Sequence, residues 1–237
     1  MGVREMKQPN VICFDYYMTL VELHQPYEKI RTWLGCYLRN SHPEIDSDKF
    51  YGKFNRNRAV LSSGGIFKLG IDLLCQSLQK TCESFHINDF SYEFAELIFD
   101  LFSSPIAYFD AHDTVNKLKT QFSVGLLTNA DNYIVKQSIS RQKFEFDFVI
   151  TSEDAKANKP DNKIFLHALE KLGKKYDEIL MVGDSQFDDL YGAGKLNIKT
   201  LWINRNNEPL KAGVIPPAFT TDTLSGILKY QDLRMEL

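Results

Sequence analysis

The sequence predicts an α/β fold: a parallel sheet whose chain is interrupted, after its first strand, by an inserted block of helices. Two observations lead there. From about residue 106 short apolar strands alternate with helical segments, which is the pattern of βαβ units and a parallel sheet. Residues 27–103 instead keep a helical period throughout, and the short apolar run Val11-Ile12-Cys13-Phe14 stands alone before them. That run matches the later strands, so the helical block reads as an insertion.

Each element has a local cause. Val11–Phe14 ends at Asp15, which opens the tight turn Asp15-Tyr16-Tyr17-Met18-Thr19-Leu20. Helices are predicted over Tyr27–Arg39, Asp46–Leu61, Ile66–Ser84 and Phe90–Phe102, each with apolar residues at i, i+3, i+4 and i+7. The turn formers His42-Pro43, Ser62-Ser63-Gly64-Gly65 and Ser103-Ser104-Pro105 separate them. A helix at Ala111–Thr120 then leads to strand Ser123–Leu127, and helix Asn132–Gln142 to strand Phe146–Ile150. Helix Asn162–Leu172, strand Ile179–Val182, helix Asp189–Leu196 and strand Thr200–Ile203 complete the series. The division expected is a core of residues 1–22 and 104–237 and an inserted domain of residues 23–103. An insertion directly after the Asp15 turn is placed to act as a lid that excludes water and reads the substrate. Its aromatics (Trp33, Tyr37, Phe50, Tyr51, Phe54, Phe67) read as its own core, and Ser62–Gly65 as a loop able to reach a site.

Composition narrows the function classes. A chain of 237 residues, 43% hydrophobic and 25% charged, is an ordinary globular protein with room for a core and a smaller partner domain. A net charge of −3 leaves no basic footprint for nucleic acid and no polybasic membrane surface. No apolar run approaches the ~20 residues of a membrane span. The first residues lack a signal-peptide core, and Met6 stands where myristoylation wants Ser or Thr. Cys13, Cys36, Cys75 and Cys82 have no metal spacing and read as reduced structural thiols of a cytoplasmic protein. The five histidines form no HxH or HxxxH pair, so no histidine-ligated metal is expected.

The strand ends carry the chemistry. A carboxylate at the carboxyl end of a buried strand lies where open α/β sheets bind ligands, and Asp is a known covalent nucleophile. Thr128-Asn129 ends the second long strand, Lys159-Pro160-Asp161 precedes a helix, and Gly183-Asp184-Ser185 ends another strand with Asp188 and Asp189 following. Singly, each has a plain explanation. Asp161 suits a helix N-cap, Asp188 and Asp189 suit a helix first turn, and a lone lysine is usually solvated. The order Asp, Thr, Lys, Asp on successive strand ends is more specific than any of its members.

In these four motifs the chain resembles the haloacid dehalogenase (HAD) superfamily of Asp-nucleophile hydrolases. The resemblance implies a doubly wound, Rossmann-like parallel sheet with a helical cap inserted after the first motif. It makes Asp15 the nucleophile, and it gives Thr128 and Lys159, with Asn129 beside them, the anionic group under attack. It places Mg²⁺ on Asp15, Asp184 and the backbone carbonyl of Tyr17, supported by Asp189 or its neighbour Asp188. A phosphoryl group brings negative charge toward a carboxylate, so a hard cation and a lysine must cancel the repulsion.

Tyr17 divides the resemblance. The family's phosphatases carry there an Asp that protonates the leaving group and later activates water, whereas a phenol with a pKa near ~10 is a poor general base. Tyr at this place is a feature of the 2-haloacid dehalogenase branch, which works without metal, and Thr200–Arg205 is also similar to that branch. That branch usually has Ser in place of Asp184, and it binds substrate with a cap arginine, here Arg56 or Arg58. Met18, where the family has Gly, would crowd the entrance. Three readings therefore stand open: a Mg²⁺-dependent phosphatase of a small phosphorylated metabolite, a metal-independent 2-haloacid dehalogenase, or a regulatory binding protein. The first is favoured, because acids gathered at a strand end repel one another unless a cation binds there. The expected partner is a small anionic substrate, with no nucleic acid and no membrane; oligomeric state is not readable.

Overall fold

The elements of the computed structural model, which describes residues 9–88 and 92–230, follow in chain order. They are β1 (Val11–Phe14), β2 (Val21–Glu22), α1 (Pro26–Ser41), α2 (Ser47–Ser62), α3 (Gly70–Ser84), α4 (Glu93–Ser103), β3 (Ile106–Ala107) and α5 (Ala111–Lys119). After these come β4 (Ser123–Thr128), α6 (Asn132–Gln142), β5 (Phe148–Thr151), α7 (Ser152–Ala155), α8 (Asn162–Leu172) and β6 (Ile179–Gly183). A π-helical turn (Gln186–Tyr191), α9 (Gly192–Gly194), β7 (Lys199–Ile203) and β8 (Phe219–Thr221) complete the chain.

Two compact units result: Met1–Glu22, Ile106–Asn132 and Gln142–Leu237 in one, Leu23–Pro105 and Tyr133–Arg141 in the other. The first is built on a sheet of order β5-β4-β1-β6-β7-β8, every pair parallel. In order along the chain its strands run 3-2-1-4-5-6, the doubly wound order that opens a ligand crevice where the winding reverses. That reversal lies beside β1, which pairs with β4 on one edge and β6 on the other. All four of its residues are buried, as befits a strand covered on both faces. Ile164, Phe165 and Ala168 of α8 pack with Cys13, Leu127, Ile150 and Met181 in a core beneath the sheet ends. Gly125 is required where β4 meets β5, since a Cβ there would lie 2.3 Å from the Phe148 carbonyl oxygen.

The second unit is helical among the described residues. Leu34 and Leu38 of α1, Phe50 and Phe54 of α2, Leu74 and Leu78 of α3, and Phe94 and Ile98 of α4 form its core. Trp33, Tyr37 and Tyr51 pack against that core, and Phe67 is half-buried. Tyr133 and Arg141 of α6 join this unit: Tyr133 stacks on Phe99, and Arg141 donates to the hydroxyls of Ser103 and Ser104. Of the candidate arginines, Arg58 lies 4.4 Å over the Tyr27 ring. The expected helix start at Phe90 falls outside the described residues.

The structure departs from the expected elements in identifiable places. The helix expected at Asp189–Leu196 is instead a π-helical turn followed by three α-helical residues. Ser185 causes the early start, because its hydroxyl accepts the Asp188 N–H and caps the turn. β2 and β3 pair antiparallel over only two residues each, and β8 is a half-exposed edge, so none leaves an apolar run to read. The cysteines are free thiols, with Cys36 exposed rather than packed in a core. Among the described residues no helix is long and apolar enough to cross a membrane.

Candidate active site

Asp15 continues β1 by one rung, its N–H donating to the Val182 carbonyl at 2.8 Å, so the carboxylate is fixed at the end of the central strand. The two carboxylate oxygens face different groups. Oδ1 accepts from Lys159 Nζ at 2.8 Å and from Thr128 Oγ1 at 3.0 Å. Oδ2 faces Thr19, whose hydroxyl lies 3.3 Å from it and 2.9 Å from Asp184 Oδ1. A hydroxyl has one proton, so Thr19 donates to one carboxylate at a time, while its oxygen accepts the Asp184 N–H at 3.1 Å. Thr19 is a site residue the sequence reading missed as such, although it sits inside the first motif.

Lys159 is 3% exposed and bridges two carboxylates, with Asp189 Oδ1 at 2.6 Å as well as Asp15. Asp189 is fully buried and also accepts the Ser185 N–H on Oδ2 at 3.0 Å. Asn129 holds the lysine from behind: its amide oxygen accepts the Lys159 N–H at 2.7 Å, and its amide nitrogen donates to the Lys159 carbonyl at 3.1 Å. Its side chain is thus committed to the Lys159 backbone. Asp161 is the N-cap of α8, accepting the Lys163 N–H, which is the plain role the sequence allows it.

All of Asp15, Tyr17, Thr128, Asn129, Lys159, Asp184 and Asp189 line one cleft of about 330 Å³, joined by Met18, Ser185 and Asp188. Met18 is 40% exposed and adopts the left-handed conformation (φ 63°) that favours glycine. The Tyr17 ring meets Tyr16 edge-on at 5.0 Å. Burial first, then Tyr16, Asp131 and Asp15, push the phenol pKa far above its ordinary value, so Tyr17 stays protonated.

The charges of the cleft do not balance. Burial opposes the charge on Lys159, yet Asp15 and Asp189 outweigh it and hold the ammonium protonated. Burial, and next the neighbouring Asp15, push Asp184 up to about 6. Asp189 is raised as well, by burial and by Asp15 and Asp184, with Lys159 opposing. Asp15, Asp184 and Asp189 offer oxygens that all lie within 4.8 Å of one another. One ammonium in contact with two of these three carboxylates leaves an excess of negative charge that suits a hard divalent cation. The residues therefore fit Mg²⁺.

Residues 70–203 match the family described as haloacid dehalogenase-like hydrolase. Over 122 residues the chain is 31% identical to an (S)-2-haloacid dehalogenase of Burkholderia cepacia, covering 50% of this chain and 52% of that protein. It is 28% identical to a pyrimidine 5'-nucleotidase of Escherichia coli with the same coverage, and 32% identical to a pyrophosphatase of Bacillus cereus over 126 residues, 51% of this chain and 57% of the relative. The chain thus spans about half the length of the curated relatives it matches. Among solved structures, a dehalogenase with an intermediate complex aligns at TM-score 0.71 and 21% identity, covering 93% of this chain and 96% of the other. A HAD phosphatase from Thermococcus onnurineus aligns at 0.68 and 24% identity with the same coverage. These structures share the fold, and relatives of both chemistries share the sequence. With its family match covering more than half its length, the chain belongs to the haloacid dehalogenase-like hydrolases.

Proposed function

We propose that the protein is a Mg²⁺-dependent phosphatase of a small phosphorylated metabolite, with Asp15 as nucleophile and no acid/base carboxylate at Tyr17. The observation that carries this reading is Asp184. A pure carbon–halogen displacement has no use for a second carboxylate this close to the nucleophile, because it repels an incoming carboxylate substrate. A divalent cation requires it.

The residues divide the work. Mg²⁺, held by Asp15 and Asp184 with the Tyr17 main chain, would neutralise the transferring phosphoryl group. Asp15 Oδ1 faces Thr128 and Lys159, so it is the oxygen aimed at a phosphorus bound by those two groups; Oδ2 faces the Thr19 hydroxyl that links it to Asp184. An ammonium has three donors, and Lys159 spends two on Asp15 and Asp189, which leaves one for the substrate. Asp189 accepts from Lys159 on Oδ1 and from the Ser185 N–H on Oδ2, so it holds and charges Lys159 and would support the metal through water. Attack by Asp15 on phosphorus breaks the P–O ester bond, releases the leaving oxygen as an anion that takes its proton from solvent, and leaves an aspartyl phosphate, which water then hydrolyses to phosphate and free Asp15. Tyr17 neither protonates the alcohol efficiently nor activates the water, so esters with acidic leaving groups are the better substrates. The helical unit, inserted after the nucleophile turn, is proposed to be the cap that selects the substrate.

The second reading is a 2-haloacid dehalogenase. The protonated phenol of Tyr17 favours it, because departing halide needs no proton. One pair of assays separates them. Hydrolysis of p-nitrophenyl phosphate that is lost in EDTA and in Asp15→Asn supports the phosphatase. Halide release from 2-chloropropionate undiminished by EDTA, with no phosphate ester cleaved, would replace it with the dehalogenase.

A further inference from the structure

The end of β7 reaches back to both halves of the cleft. Arg205 Nη1 donates to the Met18 carbonyl at 2.9 Å, and Nη2 donates to the Thr19 carbonyl at 2.8 Å. The guanidinium lies 3.7 Å from the centre of the Tyr108 ring, and the Tyr108 N–H takes the next carbonyl, Leu20, at 3.1 Å. Three consecutive carbonyls of the nucleophile turn are thereby fixed. Three residues earlier, within β7, the buried Trp202 indole donates to the Asp184 carbonyl at 3.0 Å. Thr19 stands between these two attachments, with its hydroxyl bridging Asp15 and Asp184. Met18 gives the arrangement its need. A non-glycine residue in left-handed conformation persists only where its surroundings enforce it, and the Arg205 fork grips the two peptides that flank the Thr19 Cα, the first of them joined directly to Met18.

We propose that Arg205, aided by Trp202, is a positioning residue that sets the Met18–Thr19 segment and hence the spacing of Asp15 and Asp184. Its consequence for metal rests on the Mg²⁺-dependent reading; the grip on the turn does not. A guanidinium is suited to this because its planar fork spans two carbonyls, whereas an ammonium is a point charge that satisfies one well. Arg205 itself lines a cavity of about 650 Å³, together with Asn207, Thr221 and Lys229 among others. A free guanidinium ion can therefore reach the space that truncation would leave.

The test uses the full chain as Arg205→Ala and Arg205→Lys, with hydrogen exchange, Mg²⁺ titration calorimetry and steady-state kinetics. Arg205→Ala is expected to speed exchange at the Leu20, Val21 and Asp184 amides about tenfold, as loss of charge-assisted hydrogen bonds implies. Amides of β4 and β5 should keep their rates. Mg²⁺ affinity and kcat should each fall about tenfold with KM little changed, and millimolar guanidinium should restore part of both. Arg205→Lys keeps the charge and the stem, so it serves if the alanine variant does not fold, and it too should exchange faster than wild type. Wild-type exchange at these amides in either folded variant overturns the proposal, as does unaltered Mg²⁺ affinity in Arg205→Ala. Wild-type protein that binds no Mg²⁺ removes the phosphatase reading, while faster exchange in the variants still upholds the grip on the turn.

Discussion

A phenol placed among carboxylates is a weaker acid than a free one, and Tyr17, half-buried in its turn, sits beside Asp15 and Asp131. On the proposed phosphatase reading, Asp15 would attack phosphorus without proton transfer but would push out a poor leaving group slowly. Tyr17→Asp should therefore raise kcat for an alkyl phosphate by about 10²-fold while changing an aryl phosphate far less. The alkyl-to-aryl kcat ratio is the readout, and an unchanged ratio would show that Tyr17 is no bottleneck. Asp184 gives a second prediction at this scale. Its folded pKa of about 6 exceeds the unfolded value near ~3.9, so its stabilising contribution is full below that lower value and is lost as pH rises through about 6. In EDTA, Asp184→Asn should melt higher than wild type, by a margin that grows from mildly acidic to neutral pH. A margin independent of pH would mean that Asp184 is not strained by its neighbours. The residue types were legible from the four motifs, but their wiring was not. Nothing in Asn129 or Asp189 as letters says that one clamps the Lys159 backbone and the other its ammonium.

The strand ends and the turns after them carry the site. β1, β4 and β6 were readable because buried parallel strands are short apolar runs, and each stops where a polar residue begins the crevice. The turn after β6 was misread as ordinary helix, since a π-helical turn and an α-helix share the same local residue types; hydrogen-bond span alone separates them. That turn folds Asp189 back over Gly183. A Cβ at Gly183 would lie 2.1 Å from Asp189 Oδ2, a distance no relaxed structure holds. Gly183→Ala must displace Asp189 from Lys159 or move the backbone. It should cost about 1–3 kcal/mol of stability, seen in chemical denaturation, and lower kcat as well. A variant of wild-type stability and activity would mean that the Asp189 side chain has another place to go.

For the whole molecule, the order 3-2-1-4-5-6 explains why residues so distant in sequence share one cleft: the winding reverses beside β1, and loops from strands on both sides converge there. The alternation of strands and helices carried that architecture in the sequence. What it did not carry is the edge. β8 has only three residues, none of them buried, and β2 and β3 have two each, too little apolar area to mark a pattern. Nor did it separate α6 from the sheet-bearing unit, because an amphipathic helix does not say which surface it will cover. The central claim is that Asp15 attacks phosphorus. The most direct measurement is the intact mass, and then the peptide mass, of protein acid-quenched after brief exposure to a phosphate ester with Mg²⁺, beside a sample exposed to 2-chloropropionate in EDTA. The account predicts a phosphoryl group on the Asp15 peptide in the first sample and an unmodified protein in the second; an ester of the haloacid carbon on Asp15 in EDTA, with no phosphoryl adduct, would contradict it.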